Sequence, residues 1–213
     1  MAADRIHLVR HGEVHNPQGV LYGRLPNFGL SDLGHEMALR AANELAALNR
    51  PIRALFVSPL QRTRESARPI SQRFGLDPVV DERFIEPTNR FEGTVLNAKN
   101  VLSHPKVWPS LRNPWQPSWG EPYEQIAARM LAAMEDAYDA LPGGDVVVVS
   151  HQLPIWMVHS KVAGKSLPHW PGSRRCSLSS ITSFEKRDGR WVEVDYRDPS
   201  ADLRSRAKDV GAV

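Results

Sequence analysis

The residues best suited to chemistry form a short run near the start of the chain, Arg10-His11-Gly12. They follow the mostly apolar segment 6–9, a pattern typical of a buried strand. Arginine presents a planar fork that bonds two phosphate oxygens at once, and a neutral histidine can attack phosphorus as a nucleophile. A glycine beside them lets the backbone approach closely whatever lies there. The run therefore predicts that the first strand delivers a cation and an imidazole to a phosphate site.

Other segments lead to polar side chains of the kinds that such a site needs. Three further predicted strands are each followed by such residues. Residues 54–57 precede Arg62, which lies in the first turn of a helix. Residues 79–85 end at Glu86, and residues 146–149 end at Ser150-His151. If these ends meet, one pocket holds two arginines, two histidines and one carboxylic acid. Such a set can bind a phosphoryl group and place an acid next to it.

The helices and strands between these residues determine whether the carboxyl ends of the predicted strands lie close together. Strands alternate with helical segments along most of the chain, and one amphipathic helix begins at the N-cap Ser31. The last two strands, over 178–184 and 191–196, are joined around Asp188-Gly189, a strong hairpin signal. This order predicts an α/β fold, a three-layer α/β/α sandwich whose mostly parallel sheet has an antiparallel edge. Ligands of such open sheets bind beyond the carboxyl ends of the strands.

Residues 87–120 have a different texture. The stretch is rich in proline and contains Trp108, Trp115 and Trp119. Long irregular insertions are usually functional or disordered, and disordered segments are poor in aromatic residues. We therefore expect a single domain over residues 1–213 with a lid at about 87–120. The tryptophans of this lid either contact the substrate or form a small core of their own.

Composition narrows the class of protein. The net charge is only +3, and the basic residues are scattered rather than gathered in the stripe expected of a nucleic-acid binder. No segment is apolar for long enough to cross a membrane, and the first residues lack the architecture of a signal peptide. Cys176 is the only cysteine, so no intrachain disulfide can form. These features predict a cytoplasmic location.

Taken together, the motifs resemble those of the histidine phosphatase superfamily, which contains the cofactor-dependent phosphoglycerate mutases and many phosphatases. The resemblance spans roughly residues 5–160 in the right order, and the joint pattern is far more specific than any single motif. The matching segments are Arg10-His11-Gly12, Leu30-Ser31-Asp32-Leu33-Gly34, Ser58-Pro59-Leu60-Gln61-Arg62-Thr63, Glu86 with Glu92-Gly93, and Val149-Ser150-His151.

This resemblance implies a phosphatase-type mechanism that needs neither a metal nor a cofactor. His11 would be the nucleophile and would form a transient phosphohistidine. Arg10, Arg62 and His151 would hold the phosphoryl oxygens. Glu86 would protonate the leaving oxygen and then activate water. The implied partner is a phosphorylated small-molecule substrate, without nucleic acid or membrane, and members of the family often pair as homodimers.

The chain departs from the family pattern near the substrate. The family often has an asparagine six residues after the nucleophile, but Pro17 stands there and Asn16 comes one position earlier. A family glycine, matched by Gly23, keeps its usual distance from the asparagine, so a one-residue deletion explains both positions. Gln152 replaces the glycine that usually follows the second histidine. We predict that Asn16, Gly23 and Gln152 bind the substrate, Gln152 through its backbone N–H.

Other histidines and arginines carry alternative interpretations. His7, His11 and His15 recur every four residues, which on a helix would favour a metal site, but here they straddle a strand and a loop. Arg64 and Arg68 are candidate phosphate ligands, although solvent is the usual environment of arginines on a helix surface.

The identity of the acid bears on the reaction. Glu13 and Glu92 are rivals, but Glu86 at a predicted strand end is better placed. Mutases of the family carry a Glu-Arg-His-Tyr run at the acid, whereas Glu86-Pro87-Thr88-Asn89 lacks the cations that grip a carboxylate. This difference favours a phosphatase over a phosphoglycerate mutase. A non-catalytic phospho-ligand or protein-binding module is a further alternative, which the complete set of five polar residues argues against.

Overall fold

The computed structural model describes residues 2–95 and 120–209 of the chain. Within these residues six strands form one sheet: β1 (Arg5–Arg10), β2 (Ile52–Val57), β3 (Val79–Val80), β4 (Asp145–Ser150), β5 (Ile181–Arg187) and β6 (Arg190–Arg197). Four α-helices of the same described residues accompany the sheet: α1 (Asp32–Ala47), α2 (Gln61–Phe74), α3 (Tyr123–Asp139) and α4 (Gln152–Val162).

The order of strands across the sheet is β3-β2-β4-β1-β5-β6. The first four strands of this order pair in parallel, whereas β5 pairs antiparallel with both β1 and β6. The predicted α/β sandwich, a mostly parallel sheet with an antiparallel edge, is therefore confirmed. The carboxyl ends of β1, β2 and β4 lie side by side along one edge, where a ligand site is expected.

Strand β4 shows how the sheet is covered on both faces. Val146 and Val148 pack in a core with α3 and α4, whereas Val147 and Val149 pack with α1 and α2. All four side chains are fully buried. The continuous apolar run in the sequence thus reflects a central strand between two helical layers.

Local signals in the sequence explain where several elements begin and turn. The hydroxyl of Ser31 accepts a hydrogen bond from the backbone N–H of Gly34 at 3.0 Å, which confirms the predicted N-cap of α1. Asp188 and Gly189 both have positive φ angles, +51° and +74°, between β5 and β6. Those angles suit a tight hairpin turn, so the predicted hairpin is confirmed as well.

The length of the third predicted strand is wrong. β3 ends at Val80, and a 3-10 helix follows over Glu82–Phe84. The Asp81 carboxylate accepts a hydrogen bond from the backbone N–H of Arg83 at 2.8 Å. An aspartate that bonds to the backbone two residues on favours a turn over a continued strand. Glu86 therefore follows a short helix rather than a strand end.

Most of the predicted lid, residues 96–119 with its three tryptophans, lies outside the described residues. The lid and the single-domain organisation therefore stay predictions. None of the helices within residues 2–95 and 120–209 is long and apolar enough to span a membrane.

A buried ionic cluster at the far end of β4 should contribute strongly to stability. The Asp145 carboxylate, fully buried, bonds to the His7 ring at 3.1 Å and to the Arg50 guanidinium at 2.5 and 2.8 Å. Although burial opposes its charge, these hydrogen bonds hold the pKa of Asp145 below its ordinary value. Asp145→Ala removes the acceptor that pairs with the buried His7 ring and with Arg50, so we expect the free energy of unfolding in urea at neutral pH to fall by about 2 kcal/mol.

The control for this change is Asp195→Ala, which removes a partly exposed carboxylate from its ion pair with Arg197. Exposed pairs contribute little, so a loss below about 1 kcal/mol is expected. Equal losses in the two variants would contradict the importance of the buried cluster.

Candidate active site

Strand register brings the first site residues together. β1 and β4 run parallel with Arg10 opposite Ser150, and the backbone N–H of His11 donates to the Ser150 carbonyl at 3.1 Å. His11 and His151 therefore leave their strands at the same level, and their ring centroids lie 5.3 Å apart. Ser58 follows β2 at the same edge, where its backbone N–H bonds to β4. The parallel sheet thus collects side chains that are far apart in sequence.

His11 is buried and held in one orientation and tautomer. Its Nδ1 lies 2.7 Å from the carbonyl oxygen of Gly12. A carbonyl can only accept, so Nδ1 carries the hydrogen and Nε2 carries the lone pair. Burial, with Arg62 and Arg10 nearby, holds the pKa of His11 well below its ordinary value. The ring is therefore neutral, and its Nε2 presents a lone pair that can act as a nucleophile.

Glu86 has the surroundings that the predicted acid requires. Its carboxylate is fully buried, 3.4 Å from Nδ1 of His151 and 3.9 Å from Nη2 of Arg62. Burial raises the pKa of Glu86 above its ordinary value, against the pull of Arg62 and other arginines. The short helix before it is fastened to β4 because the Ser150 hydroxyl donates to the Phe84 carbonyl at 2.8 Å. A carboxyl with a raised pKa is suited to donating a proton near neutral pH.

Two buried arginines supply the positive charge. Arg62 donates through Nη2 to the carbonyl of Gly23 at 2.7 Å, and its Cζ lies 4.7 Å from the centre of the Tyr22 ring. Arg10 donates through Nη1 to the Cys176 carbonyl at 2.7 Å. Both side chains are held by neighbouring groups, which reduces the entropy that ligand binding must remove.

His151 is the second imidazole of the site. Its Nε2 lies 2.7 Å from the hydroxyl of Ser58. Burial, together with Arg62 and His11, holds the pKa of His151 well below its ordinary value. Because a serine hydroxyl can donate to Nε2, Nδ1 can carry the hydrogen and offer it to a phosphoryl oxygen.

Several polar atoms of this cluster have no hydrogen-bond partner among the described residues. Among the described residues, the buried side-chain atoms without a hydrogen bond include Arg10 Nε, His11 Nε2, Arg62 Nε, both carboxylate oxygens of Glu86, and His151 Nδ1. Buried polar groups are normally paired, so unpaired atoms concentrated in one place indicate a site for a polar ligand. Two guanidinium groups beside a neutral imidazole favour an anion, and a phosphoryl group fits that set.

The same cluster has a spacing that also suits a metal. Ligand atoms of His11, Glu86 and His151 lie within 4.8 Å of one another. The Arg62 guanidinium beside the carboxylate opposes a second cation on electrostatic grounds. His7 bonds to Asp145 at the opposite end of β4, and His15 is exposed, so the spacing of histidines by four does not produce a shared site.

Two motif glycines explain each other. A Cβ atom added to Gly12 would lie 2.4 Å from the carbonyl oxygen of Gly34, and one added to Gly34 would lie 2.0 Å from the carbonyl oxygen of Glu13. The loop after β1 and the first turn of α1 therefore pass each other in direct backbone contact. The close approach that Gly12 permits is to this neighbouring backbone.

The residues predicted to bind substrate have structural partners of their own. The Asn16 side chain accepts from the N–H of Val20 at 3.0 Å and donates to its carbonyl at 2.8 Å. The Gly23 carbonyl accepts from Arg62, so this glycine acts on the site by positioning an arginine. The Gln152 side chain bonds to Arg174 and to the Cys176 carbonyl, both at 3.3 Å. Substrate contact by Asn16, Gly23 and Gln152 stays a prediction.

Both rival acids are engaged elsewhere. The Glu13 carboxylate accepts from the hydroxyl of Ser31 and from the backbone N–H of Lys208. The Glu92 carboxylate accepts from the backbone N–H of Arg24 at 2.9 Å. Glu86, whose oxygens have no hydrogen-bond partner among the described residues, remains the best candidate.

Arg64 and Arg68 are exposed on α2 and line a surface groove of about 780 Å³ beside β3. Neither Arg10 nor His11 lines this groove. Arg64 and Arg68 are therefore solvent-exposed, as is usual for arginines on a helix surface.

Tyr22 and Arg174 belong to the surroundings of the site but fall outside the residues singled out in the sequence. Tyr22 packs against Arg62, and its position next to Gly23 was the available signal. Arg174 donates through Nε to His169 at 2.8 Å, and its charge opposes the rise in the pKa of Glu86. It lies in the connection between α4 and β5, where no periodic pattern predicts a direction for its side chain.

Comparisons with known sequences agree with this geometry. The chain matches the histidine phosphatase superfamily (branch 1) over residues 6–199. It is 48% identical over 198 residues to "Uncharacterized protein Rv0525" of Mycobacterium tuberculosis, covering 92% of this chain and 97% of that protein. It is 27% identical over 197 residues to "Probable phosphoglycerate mutase GpmB" of Escherichia coli, covering 88% and 87% of the two chains.

Solved structures show the same fold at lower identity. The mycobacterial glucosyl-3-phosphoglycerate phosphatase Rv2419c in complex with VO3 is similar with a TM-score of 0.73 and 24% identity, over 92% of this chain and 99% of that one. A phosphoserine phosphatase from Entamoeba histolytica in complex with 3-phosphoglyceric acid is similar with a TM-score of 0.74 and 18% identity, over 91% and 96%. With the match over residues 6–199, the protein is an enzyme of the histidine phosphatase superfamily.

Proposed function

We propose that this enzyme is a metal-independent phosphatase that hydrolyses the phosphomonoester of a small molecule through a phosphohistidine on His11. The observation that carries the proposal is the group of buried polar atoms around Nε2 of His11 that have no hydrogen-bond partner in the part of the chain that the structure describes. A phosphoryl group would satisfy the donors of that cluster and present phosphorus to the lone pair.

In the first half of the reaction, Nε2 of His11 attacks phosphorus. The new N–P bond forms as the P–O bond to the leaving group breaks, and Glu86 gives its proton to the departing oxygen. Arg10, Arg62 and His151 hold the three non-bridging oxygens, where charge is spread in the transition state. The first product is the free alcohol.

In the second half, Glu86 has become a carboxylate and acts as a base. It takes a proton from water, the water oxygen bonds to phosphorus, and the N–P bond breaks. Inorganic phosphate leaves, Nε2 of His11 regains its lone pair, and Glu86 regains its proton. The positive charge of the two arginines takes the place that a metal ion fills in other phosphoryl-transfer enzymes.

Hydrolysis is favoured over a mutase reaction by the residues next to the acid. In Glu86-Pro87-Thr88-Asn89 no side chain is a cation, so this run offers no charge partner for the carboxylate of a phosphoglycerate. A phosphatase needs only to admit water to the phosphohistidine, whereas a mutase must hold the dephosphorylated substrate for the return transfer.

The proposal is tested by turnover in the presence of a metal chelator. We expect inorganic phosphate to be released from p-nitrophenyl phosphate and from members of a panel of phosphorylated metabolites, without conversion of 3-phosphoglycerate to 2-phosphoglycerate. Isomerisation without net hydrolysis would support the mutase instead. Binding of phosphorylated ligands with no turnover and no acid-labile labelling of the protein would support a binding module.

A further inference from the structure

The chain's final described residue reaches the phosphate site. The Asp209 carboxylate accepts hydrogen bonds from Nη1 of Arg10 at 2.8 Å and from Nη2 at 2.5 Å. Arg10 is fully buried, whereas the Asp209 side chain is about 41% exposed, so the carboxylate covers the outer end of the arginine. Two parallel hydrogen bonds between a guanidinium and a carboxylate are the most directional form of this ion pair.

The segment that carries Asp209 is anchored by contacts of its own. Leu203 is buried in a small apolar cluster with Met37 and Leu178, and Ala207 packs against it. The backbone N–H of Lys208 then donates to the Glu13 carboxylate at 2.6 Å. These contacts bring the tail to the loop that follows β1, next to Arg10.

The pairing leaves one edge of the Arg10 guanidinium for another ligand. Nη1 uses its two hydrogens on Asp209 and on the Cys176 carbonyl, and Nη2 uses one of its two on Asp209. The remaining donors are the Nε hydrogen and the second Nη2 hydrogen, which lie on the same side of the planar group. Within residues 2–95 and 120–209, this Nε is buried without a hydrogen-bond partner, as are Nε2 of His11 and Nε of Arg62.

We propose that Asp209 is a positioning residue that clamps the terminal edge of Arg10 and thereby turns its Nε–Nη2 edge toward the phosphoryl group; the proposal rests on the phosphatase function proposed above. A long arginine side chain loses considerable rotamer freedom when it binds a ligand. The clamp removes that freedom before the substrate arrives. The opposite consequence of the same contact is competition, in which the carboxylate occupies Arg10 at the expense of a phosphate. The test separates the two.

The test compares Asp209→Asn with wild type in steady-state hydrolysis of p-nitrophenyl phosphate and in inhibition by orthovanadate. An asparagine at this position presents an N–H group to a guanidinium and cannot form the paired bonds. We expect kcat/KM to fall about 10- to 100-fold, as for a small misplacement of a catalytic group, with a weaker affinity for orthovanadate. Asp209→Glu, which retains a carboxylate on a side chain longer by one methylene group, should recover part of the loss.

The matched control is Asp202→Asn, the same change in the same tail. Asp202 pairs with Arg40 on the surface of α1, away from the site, so kinetics should equal wild type. Arg10→Ala supplies the second control. If Asp209 acts through Arg10, then Asp209→Asn causes no further loss in the Arg10→Ala background.

Three results would overturn the inference. Unchanged kinetics and vanadate affinity in Asp209→Asn would show that the clamp is not needed, and a higher vanadate affinity would show that Asp209 competes with the ligand. An undiminished loss in the Arg10→Ala background would show that Asp209 acts elsewhere. Wild-type protein that hydrolyses nothing would instead refute the proposed function, and orthovanadate binding measured by calorimetry would still report on the clamp.

Discussion

His11→Ala is expected to lower phosphate release by about 10⁴-fold or more, the largest effect of any single change in this protein. The substitution removes the atom proposed to form a bond to phosphorus, while the arginines proposed to bind the phosphoryl group remain. Rapid-mixing experiments with a ³²P-labelled substrate should show acid-labile label on wild type and none on the variant. The phosphoryl group should be on Nε2, because Nδ1 is committed to the Gly12 carbonyl.

The control for this loss is His15→Ala. His15 is four residues further along the chain, exposed, and bonded to Gly29 only through its backbone N–H, which alanine retains. Activity of this variant should match wild type. A His11→Ala variant that keeps a tenth of the wild-type rate while folding normally would exclude the phosphohistidine mechanism.

Glu86→Gln is expected to have the second largest effect, and its size should depend on the leaving group. For an alkyl phosphate the departing oxygen is strongly basic and needs a proton, so we expect a loss of about 10²- to 10⁴-fold. For p-nitrophenyl phosphate the leaving phenolate needs little help, and the first step should be nearly spared. The second step still lacks its base, so a burst of p-nitrophenol and accumulation of phosphohistidine should follow.

The pH dependence of the hydrolysis rate gives a separate test of Glu86. Activity requires neutral His11 and protonated Glu86 in the first step. Because the pKa of His11 is held well below its ordinary value, the rate should stay high as the pH falls below about 6.5. Because burial raises the pKa of Glu86, the acid form persists above about 4.5, and the rate falls as the pH rises through that raised pKa. In Glu86→Gln this alkaline fall in kcat/KM should disappear.

Two controls test whether the effect of Glu86→Gln comes from the loss of any nearby carboxylate or from unfolding. Glu82→Gln changes an exposed carboxylate four residues earlier and should leave the leaving-group dependence intact. Glu86→Gln should unfold at no lower denaturant concentration than wild type, because a neutral amide of similar size replaces a buried carboxyl group that has no hydrogen-bond partner among the described residues. An equal loss for alkyl and aryl phosphates would contradict the role of Glu86 as the acid.

Patterns that act over a few residues were sufficient for much of the fold. Three local signals agree with the tertiary structure. They are the apolar run before His151, the N-cap Ser31 and the Asp188-Gly189 turn. The predicted length of the third strand was wrong because the Asp81 side chain bonds to the backbone N–H of Arg83 and stabilises a turn. The β-branched residues before it favour a strand and do not reveal this turn. A single side chain can therefore decide whether a strand ends or continues.

The sequence by itself predicted the chemistry: the types and order of Arg10, His11, Arg62, Glu86 and His151 indicate a phosphoryl site at the end of a parallel sheet. Only the tertiary structure decided the electrostatics of these groups. The lowered pKa of His11 and the raised pKa of Glu86 come from burial by segments that are distant in sequence. The clamp proposed for Arg10 comes from a residue 199 positions away. Hydrogen bonds and desolvation between such segments leave no local pattern in the sequence, since they arise only when the chain has folded.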